Sequence, residues 1–287
     1  MPTDVDSPAA PRPVRLLLSD VDGTLITPDR RLTAATVQAA GALRSAGVRL
    51  ALTSGRPPIG MSALAAALDL DTPMGAFNGG VIADRELRVL HQRVLAPDLV
   101  TEVLRRMSAH GLDTWLYRGT EWFVPDGGAP HVARETVTCG FGPEVVRSLD
   151  TVLAEGEGIA KVTGVSDDPG RMAAALAAVR DDLGDEVAAS CSQPYYLDVT
   201  HPAANKGMAL RWMAAHFGLD EEEVAAIGDM PNDVLMFSRA GLSIAMGNAS
   251  TEVQRSARRV TRANDDDGWA HAVERFVLPA AAGRPAP

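Results

Sequence analysis

Short apolar runs that stop abruptly at a carboxylate, a serine or a glycine turn recur at both ends of this chain, and that placement leaves few folds open. VRLLLS (14–19) runs into Asp20, VRLALT (48–53) into Ser54, MGAF (74–77) into Asn78-Gly79-Gly80, and VAAIGD (224–229) ends on its own aspartate. Unalternating runs of this length are the pattern of strands buried on both faces. Between the first two, Thr33 is placed to cap a helix through about Ala46, with Gly47 as its stop. GRPP opens a helix through about Leu68, KGMALRWMAAHFG (206–218) reads as helical, and LSIAMG (242–247) and RRVTR (258–262) read as the last strands. The alternation predicts an α/β protein with a doubly wound parallel sheet to which both ends of the chain contribute.

The middle breaks this rhythm. DTWLY (113–117) and EWFVP (121–125) resemble a hairpin, RMAAALAAVRDDLG (171–184) a helix, and VAASCS with YYLDVT (187–200) two nearby strands. Residues 85–198 therefore read as an inserted α+β domain, with 1–84 and 199–287 forming the core. MPTDVDSPAAPRP (1–13) and PAAAGRPAP (279–287) read as loose tails.

Composition removes several classes of function. No apolar stretch reaches the ~20 residues needed to span a bilayer, and the first residues lack a basic region followed by an apolar one, so the expected location is cytoplasmic. Cys139 and Cys191 are far apart and form no CxxC pair, which argues against a disulfide framework or a thiolate zinc site. A net charge of −10 repels nucleic acid and anionic membranes, so neither is an expected partner. A small anionic metabolite would need local cations or a metal to bind.

The local device is legible in the carboxylates. Asp20 and Asp22 in DVDGTL stand two apart at a strand end, where side chains on an extended chain share a face. Two carboxylates so close repel unless a cation or proton lies between them. Mg²⁺ suits this position, since it takes oxygen ligands from one or two carboxylates, water and phosphate. IGDMPND (227–233) supplies Asp229 directly after another strand, with Asn232 and Asp233 one helical turn on. One aspartate attacking phosphorus while the other manages protons would divide a difficult displacement into two steps through an acyl phosphate. Gly23 permits a sharp turn and Thr24 is placed to orient the site. A phosphoryl group also needs donors and positive charge, which Ser54 in TSGR and Lys206 in NKG supply, Lys206 being a better fit than Arg56.

Together these residues resemble the haloacid dehalogenase-like (HAD) hydrolases, and within them the Cof-type phosphatases. DVDGTL, TSGR, NKG and GDMPND match the four motifs in order and spacing, with further similarity in FNGG (77–80), AMGNA (245–249) and VTRANDDDG (260–268). The resemblance implies a Rossmann-like core with an α+β cap inserted between the second and third motifs. It implies Asp20 as nucleophile, Asp22 as general acid/base, Ser54 as phosphate donor and Lys206 as phosphate-binding cation. Mg²⁺ is implied on the Asp20 carboxylate, the Asp22 main-chain oxygen and Asp229, supported by Asn232 and Asp233. Gly55, Arg56 and Asn78 fall at phosphate-binding or supporting positions. The expected activity is Mg²⁺-dependent hydrolysis of small phosphomonoesters, sugar phosphates foremost, through an aspartyl phosphate.

Alternatives stay open at this level. Thr53 competes with Ser54 as the donor. Phosphomutase-type transfer would use the same acyl phosphate, and a phosphometabolite-binding protein without turnover would keep the same fold. A dinucleotide-binding dehydrogenase shares the rhythm, but DVDGT stands where GxGxxG is required. Trp115, Tyr117, Trp122 and Phe123 are compatible with a small cap core or with a substrate pocket, and Asp265–Asp267 with a solvated turn.

Overall fold

A computed structural model describes residues 12–283, so most of the expected N-terminal tail and the end of the C-terminal one lie outside the described residues. The chain forms two compact units, one made of residues up to Ala51 together with those from Leu210 onward, the other of Leu52–Ala209.

The first unit is built on a five-stranded sheet in the order Arg259–Val260, Leu242–Ala245, Val224–Gly228, Leu16–Ser19, Arg49–Leu52. From Arg259–Val260 to Leu16–Ser19 the neighbouring strands pair parallel, with Leu16 opposite Val224 and Ser19 opposite Ile227. Leu16, Leu17 and Leu18 have no exposed surface, as expected of a strand covered on both faces. The helix Ala34–Ser45 follows the sequence signals closely: Thr33 Oγ1 accepts the Thr36 N–H at 3.1 Å. Its buried residues, Thr36, Ala39, Ala40 and Leu43, form one helical stripe. Both ends of the chain thus contribute to one doubly wound sheet. The C-terminal segment departs from expectation, because Leu278–Ala281 is helical rather than loose. It continues a helix anchored by buried Trp269, Val273 and Val277.

In the second unit the Met74–Ala76 strand corrects the sequence reading. Its Gly75 forms a single parallel bridge with Thr53, and the strand then pairs antiparallel with Val81–Ala83, which pairs with Val89–Gln92. The tight Phe77–Gly79 turn forces the reversal. This ribbon runs past residue 84. A six-stranded sheet follows, with Lys161–Val165 between Tyr196–Thr200 and Asp113–Arg118. One face buries Leu116, Phe123, Val162, Leu197 and Val199 against the helices Pro97–Ala109 and Pro169–Leu183. Trp115, Tyr117 and Trp122 point to the opposite face and pack ring on ring, so Phe123 alone of the four hairpin aromatics joins the helix-covered core. Among the described residues no helix is long and apolar enough to cross a membrane.

The C-terminal helix is fastened beneath the first strand by a buried relay. Trp269 Nε1–H donates to Ser19 Oγ at 2.9 Å, and Ser19 Oγ–H donates to the Asp20 carbonyl at 2.7 Å. Trp269→Phe keeps most of the ring volume and removes one donor, so chemical denaturation should show a loss of about 1–3 kcal/mol. An unchanged unfolding free energy would mean that this relay contributes no net stability.

Candidate active site

In the first unit the parallel ladder sets the position of the carboxylates. Ser19 is the last residue of its strand, and the Asp20 N–H extends the ladder by one bond to the Ile227 carbonyl at 2.9 Å. Asp20 and Asp229 therefore leave neighbouring strands within one residue of the same level. Asp233 joins them through the turn Pro231–Asp233, its Oδ2 accepting the Asp229 and Met230 N–H groups at 2.8 Å each. Asp20, Asp229 and Asp233 are all buried, and one carboxylate oxygen of each lies within 4.8 Å of the others.

Asp22 differs from Asp20 in exposure. The strand ends before either aspartate, and the Val21 carbonyl accepts the Thr24, Leu25 and Ile26 N–H groups in a tight turn. Asp20 is thereby buried and Asp22 exposed. Gly23 holds φ +79° there, and a Cβ on it would stand 2.3 Å from Asp229 Oδ2, so position and backbone angle both require glycine. Thr24 Oγ1–H donates to Asp229 Oδ1 at 2.9 Å. Asn232 is exposed beside buried Asp233.

Two further residues organise this cluster, and neither was assigned a role from sequence. Asn248 Nδ2 donates to the Gly23 carbonyl at 2.9 Å and reaches Asp229 Oδ2 at 3.4 Å. Asn264 holds it in turn, its N–H donating to Asn248 Oδ1 at 3.0 Å and its Nδ2 to the Ile26 carbonyl at 2.8 Å. The AMGNA and VTRANDDDG stretches pointed at them, but only the fold shows what each side chain touches. Asp265 and Asp266 are exposed, and Asp267 accepts Thr33 Oγ1–H at 2.7 Å, which leaves the acidic run as a turn and a contact to a helix cap.

Three close carboxylates, two neutral side-chain donors and two backbone donors make an acceptor-rich set. Burial of like charges at this separation is costly without a cation, and an all-oxygen donor set suits a hard divalent ion.

The second unit assembles the other expected site residues around Ser54. The Ser54 N–H donates to the Gly75 carbonyl and its own carbonyl accepts the Asn78 N–H, both at 2.8 Å. Ser54 Oγ accepts the Arg56 N–H at 3.2 Å. Thr53 Oγ1 is sealed away without a hydrogen-bond partner among the described residues, which favours Ser54 of the two hydroxyls. The Arg56 guanidinium is turned onto the Gly60 carbonyl at 3.1 Å. A Cβ on Gly55 would stand 3.7 Å from Asn78 Oδ1, so the TSGR and FNGG stretches lie side by side. Phe77 and Asn78 both adopt left-handed backbone angles, φ 48° and 57°.

Lys206, buried, opens the helix Lys206–His216, and Asn205 Oδ1 accepts the Met208 N–H at 3.0 Å in that helix's first turn. Gly79, at φ +94°, brings the turn against this helix start, since an added Cβ would stand 2.8 Å from the Asn205 carbonyl. His201 accepts the Ala203 N–H on Nδ1 at 2.9 Å, and burial lowers its pKa. Gly79→Ala should cost about 1–3 kcal/mol through strain and overpacking; thermal unfolding of the variant checks this, and wild-type stability would show that the turn has room to yield.

The haloacid dehalogenase-like hydrolase family model matches residues 17–273. The chain is 30% identical over 241 residues to the HMP-PP phosphatase of Enterobacter sp. strain 638, covering 83% of this chain and 86% of that one. It is 25% identical over 285 residues to a 5-amino-6-(5-phospho-D-ribitylamino)uracil phosphatase of Bacillus subtilis, covering 92% and 98%. Among solved structures, a haloacid dehalogenase-like hydrolase from Bacteroides thetaiotaomicron matches with a TM-score of 0.83 at 28% identity, covering 91% of this chain and 99% of that one.

Proposed function

The chain belongs to the haloacid dehalogenase-like hydrolases and is a phosphoric monoester hydrolase; from that premise we propose a Mg²⁺-dependent phosphatase that acts on small phosphorylated metabolites through an aspartyl phosphate. The observation that carries this reading is the buried gathering of Asp20, Asp229 and Asp233 at the ends of parallel strands.

Asp20 is the nucleophile. Its carboxylate oxygen forms a bond to phosphorus as the bond to the leaving oxygen breaks, and Asp22 gives that oxygen a proton. Asp22, exposed at the turn, then takes a proton from water as the water oxygen attacks phosphorus, and the Asp20–phosphorus bond breaks to release phosphate. Ser54 and Lys206 supply a hydrogen bond and positive charge to the phosphoryl oxygens, with Gly55, Arg56 and Asn78 shaping that surround. Mg²⁺, when bound, offsets the charge of phosphate and carboxylates; Asp20, the Asp22 main-chain oxygen and Asp229 hold it, with Asp233 and Asn232 fixing the Asp229 loop. The segment 85–198 serves as a cap that excludes water and selects the leaving group. The cytoplasm is the proposed compartment.

Phosphate release from a panel of phosphomonoesters, with Mg²⁺ and with chelator, tests the reading. Wild type should release phosphate only with the ion, and Asp20→Asn should fall by a factor of about 10⁴ or more while unfolding normally. Turnover by Asp20→Asn at the wild-type rate would defeat the mechanism. Gly23→Ala places a methyl group on the Asp229 carboxylate and should abolish the thermal stabilisation that Mg²⁺ confers on wild type. Retained stabilisation by the ion would remove Asp229 from the metal site.

A further inference from the structure

The cap sheet has two unlike faces. The face covered by its own helices buries the apolar cluster described above. The other carries Lys161 and Thr163 from the central strand, with Tyr117 paired to Lys161 and Asp198 paired to Thr163 across the two ladders. An ammonium in the middle of a sheet is costly to bury, since it loses hydration that the protein must replace.

The replacement is incomplete. Lys161 is 7% exposed, and its Nζ lies 4.4 Å from the centre of the Tyr117 ring and 5.2 Å from that of Phe77. Ring faces attract a cation but accept no strong hydrogen bond. Among the described residues one carboxylate is within reach, Asp198 Oδ1 at 3.4 Å. That oxygen already accepts Thr163 Oγ1–H at 2.7 Å, which fixes its direction. Lys161 thus has three donors and one long carboxylate contact, held in place by residues on three strands.

This ammonium adjoins the Ser54 loop within the same unit. Phe77, whose ring it overlies, donates its N–H to the Arg56 carbonyl at 3.0 Å and precedes Asn78, which is bonded to Ser54. Burial pushes the Cys139 thiol well up, reinforced by Glu135 and opposed by Lys161 and Arg56, so both cations act on one buried group. The cation Lys161 is balanced by Asp198, and the carboxylate Glu135 lies on the same buried Cys139. A nearly neutral face with both donors and acceptors fits a hydroxyl-bearing organic moiety rather than a second phosphate.

Resting on the phosphatase reading above, we propose that Lys161, oriented by Asp198, is the residue with which the cap reads a hydroxyl of the leaving group, so that esters carrying one are favoured over esters carrying none. Lys161 is a specificity-determining residue in this proposal and takes no part in the chemical step.

The test compares two esters: the sugar or polyol phosphate that wild type turns over fastest, and phenyl phosphate, whose leaving group has no further hydroxyl. Lys161→Met keeps the apolar stem and should lower kcat/KM for the sugar ester by about 10-fold or more while phenyl phosphate changes by less than about 2-fold. Asp198→Asn should shift the same ratio in the same direction, and it carries the test if Lys161→Met does not fold. Equal losses on both esters, unchanged ratios, or a wild type that hydrolyses phenyl phosphate but no sugar or polyol phosphate would each overturn this assignment alone. A wild type that releases phosphate from neither ester would overturn the phosphatase reading and this one with it.

Discussion

Mutual repulsion among Asp20, Asp229 and Asp233 is the constraint around which the first unit is arranged. Three carboxylates with oxygens within 4.8 Å and almost no exposure are unfavourable as a purely structural device. Their surroundings limit the damage: Thr24 and Asn248 donate to Asp229, while two backbone N–H groups converge on Asp233. None of these donors carries a full positive charge. The sheet supplies the rigidity, because register between Leu16–Ser19 and Val224–Gly228 fixes the level at which the first two carboxylates emerge. Elements remote in sequence are recruited to the same end, with Asn264 holding Asn248 and Trp269 holding Ser19.

The second unit meets a different demand with similar means. Ser54 must be held at the end of a strand with its hydroxyl uncommitted as a donor, and its backbone groups are therefore tied at both sides, to Gly75 and to Asn78. The turn that makes this possible contains two consecutive non-glycine residues with left-handed backbone angles, each of which costs of order 1 kcal/mol or more. Compensation comes from packing. Gly79 lets the turn close onto Asn205, and the Phe77 ring is buried against Tyr117.

What the sequence disclosed was local or periodic. Thr33 caps its helix because the hydroxyl meets an N–H three residues on, and Asp20 and Asp229 follow runs too apolar to lie anywhere but inside a sheet. What it concealed depended on contacts across the chain. The Lys161–Val165 strand lies at the centre of its sheet yet begins with a lysine and includes Gly164, where a Cβ would stand 2.7 Å from Leu112. Glycine there lowers strand propensity, and only the packing of Leu112 and Met107 explains it. The helix Val132–Cys139 is rich in β-branched residues and has no propensity signal to announce it. The difference in burial between Asp20 and Asp22 was likewise hidden, since the strand ends at Ser19 and a tight turn carries both aspartates.

The two faces of the cap sheet carry the same logic into specificity. If stability alone had shaped it, the face opposite the helices would favour an apolar side chain at 161, because a well-packed hydrophobe commonly equals or exceeds a buried ion pair in stability. Instead the ammonium is kept, lodged between two rings and steered by a carboxylate that a threonine holds in place. Four side chains are thereby committed to the direction of one Nζ that lacks a close acceptor. Such investment in orientation, beside the loop that carries Ser54, is what recognition of an incoming hydroxyl oxygen requires: the donor is already aimed and little ordering remains to oppose binding.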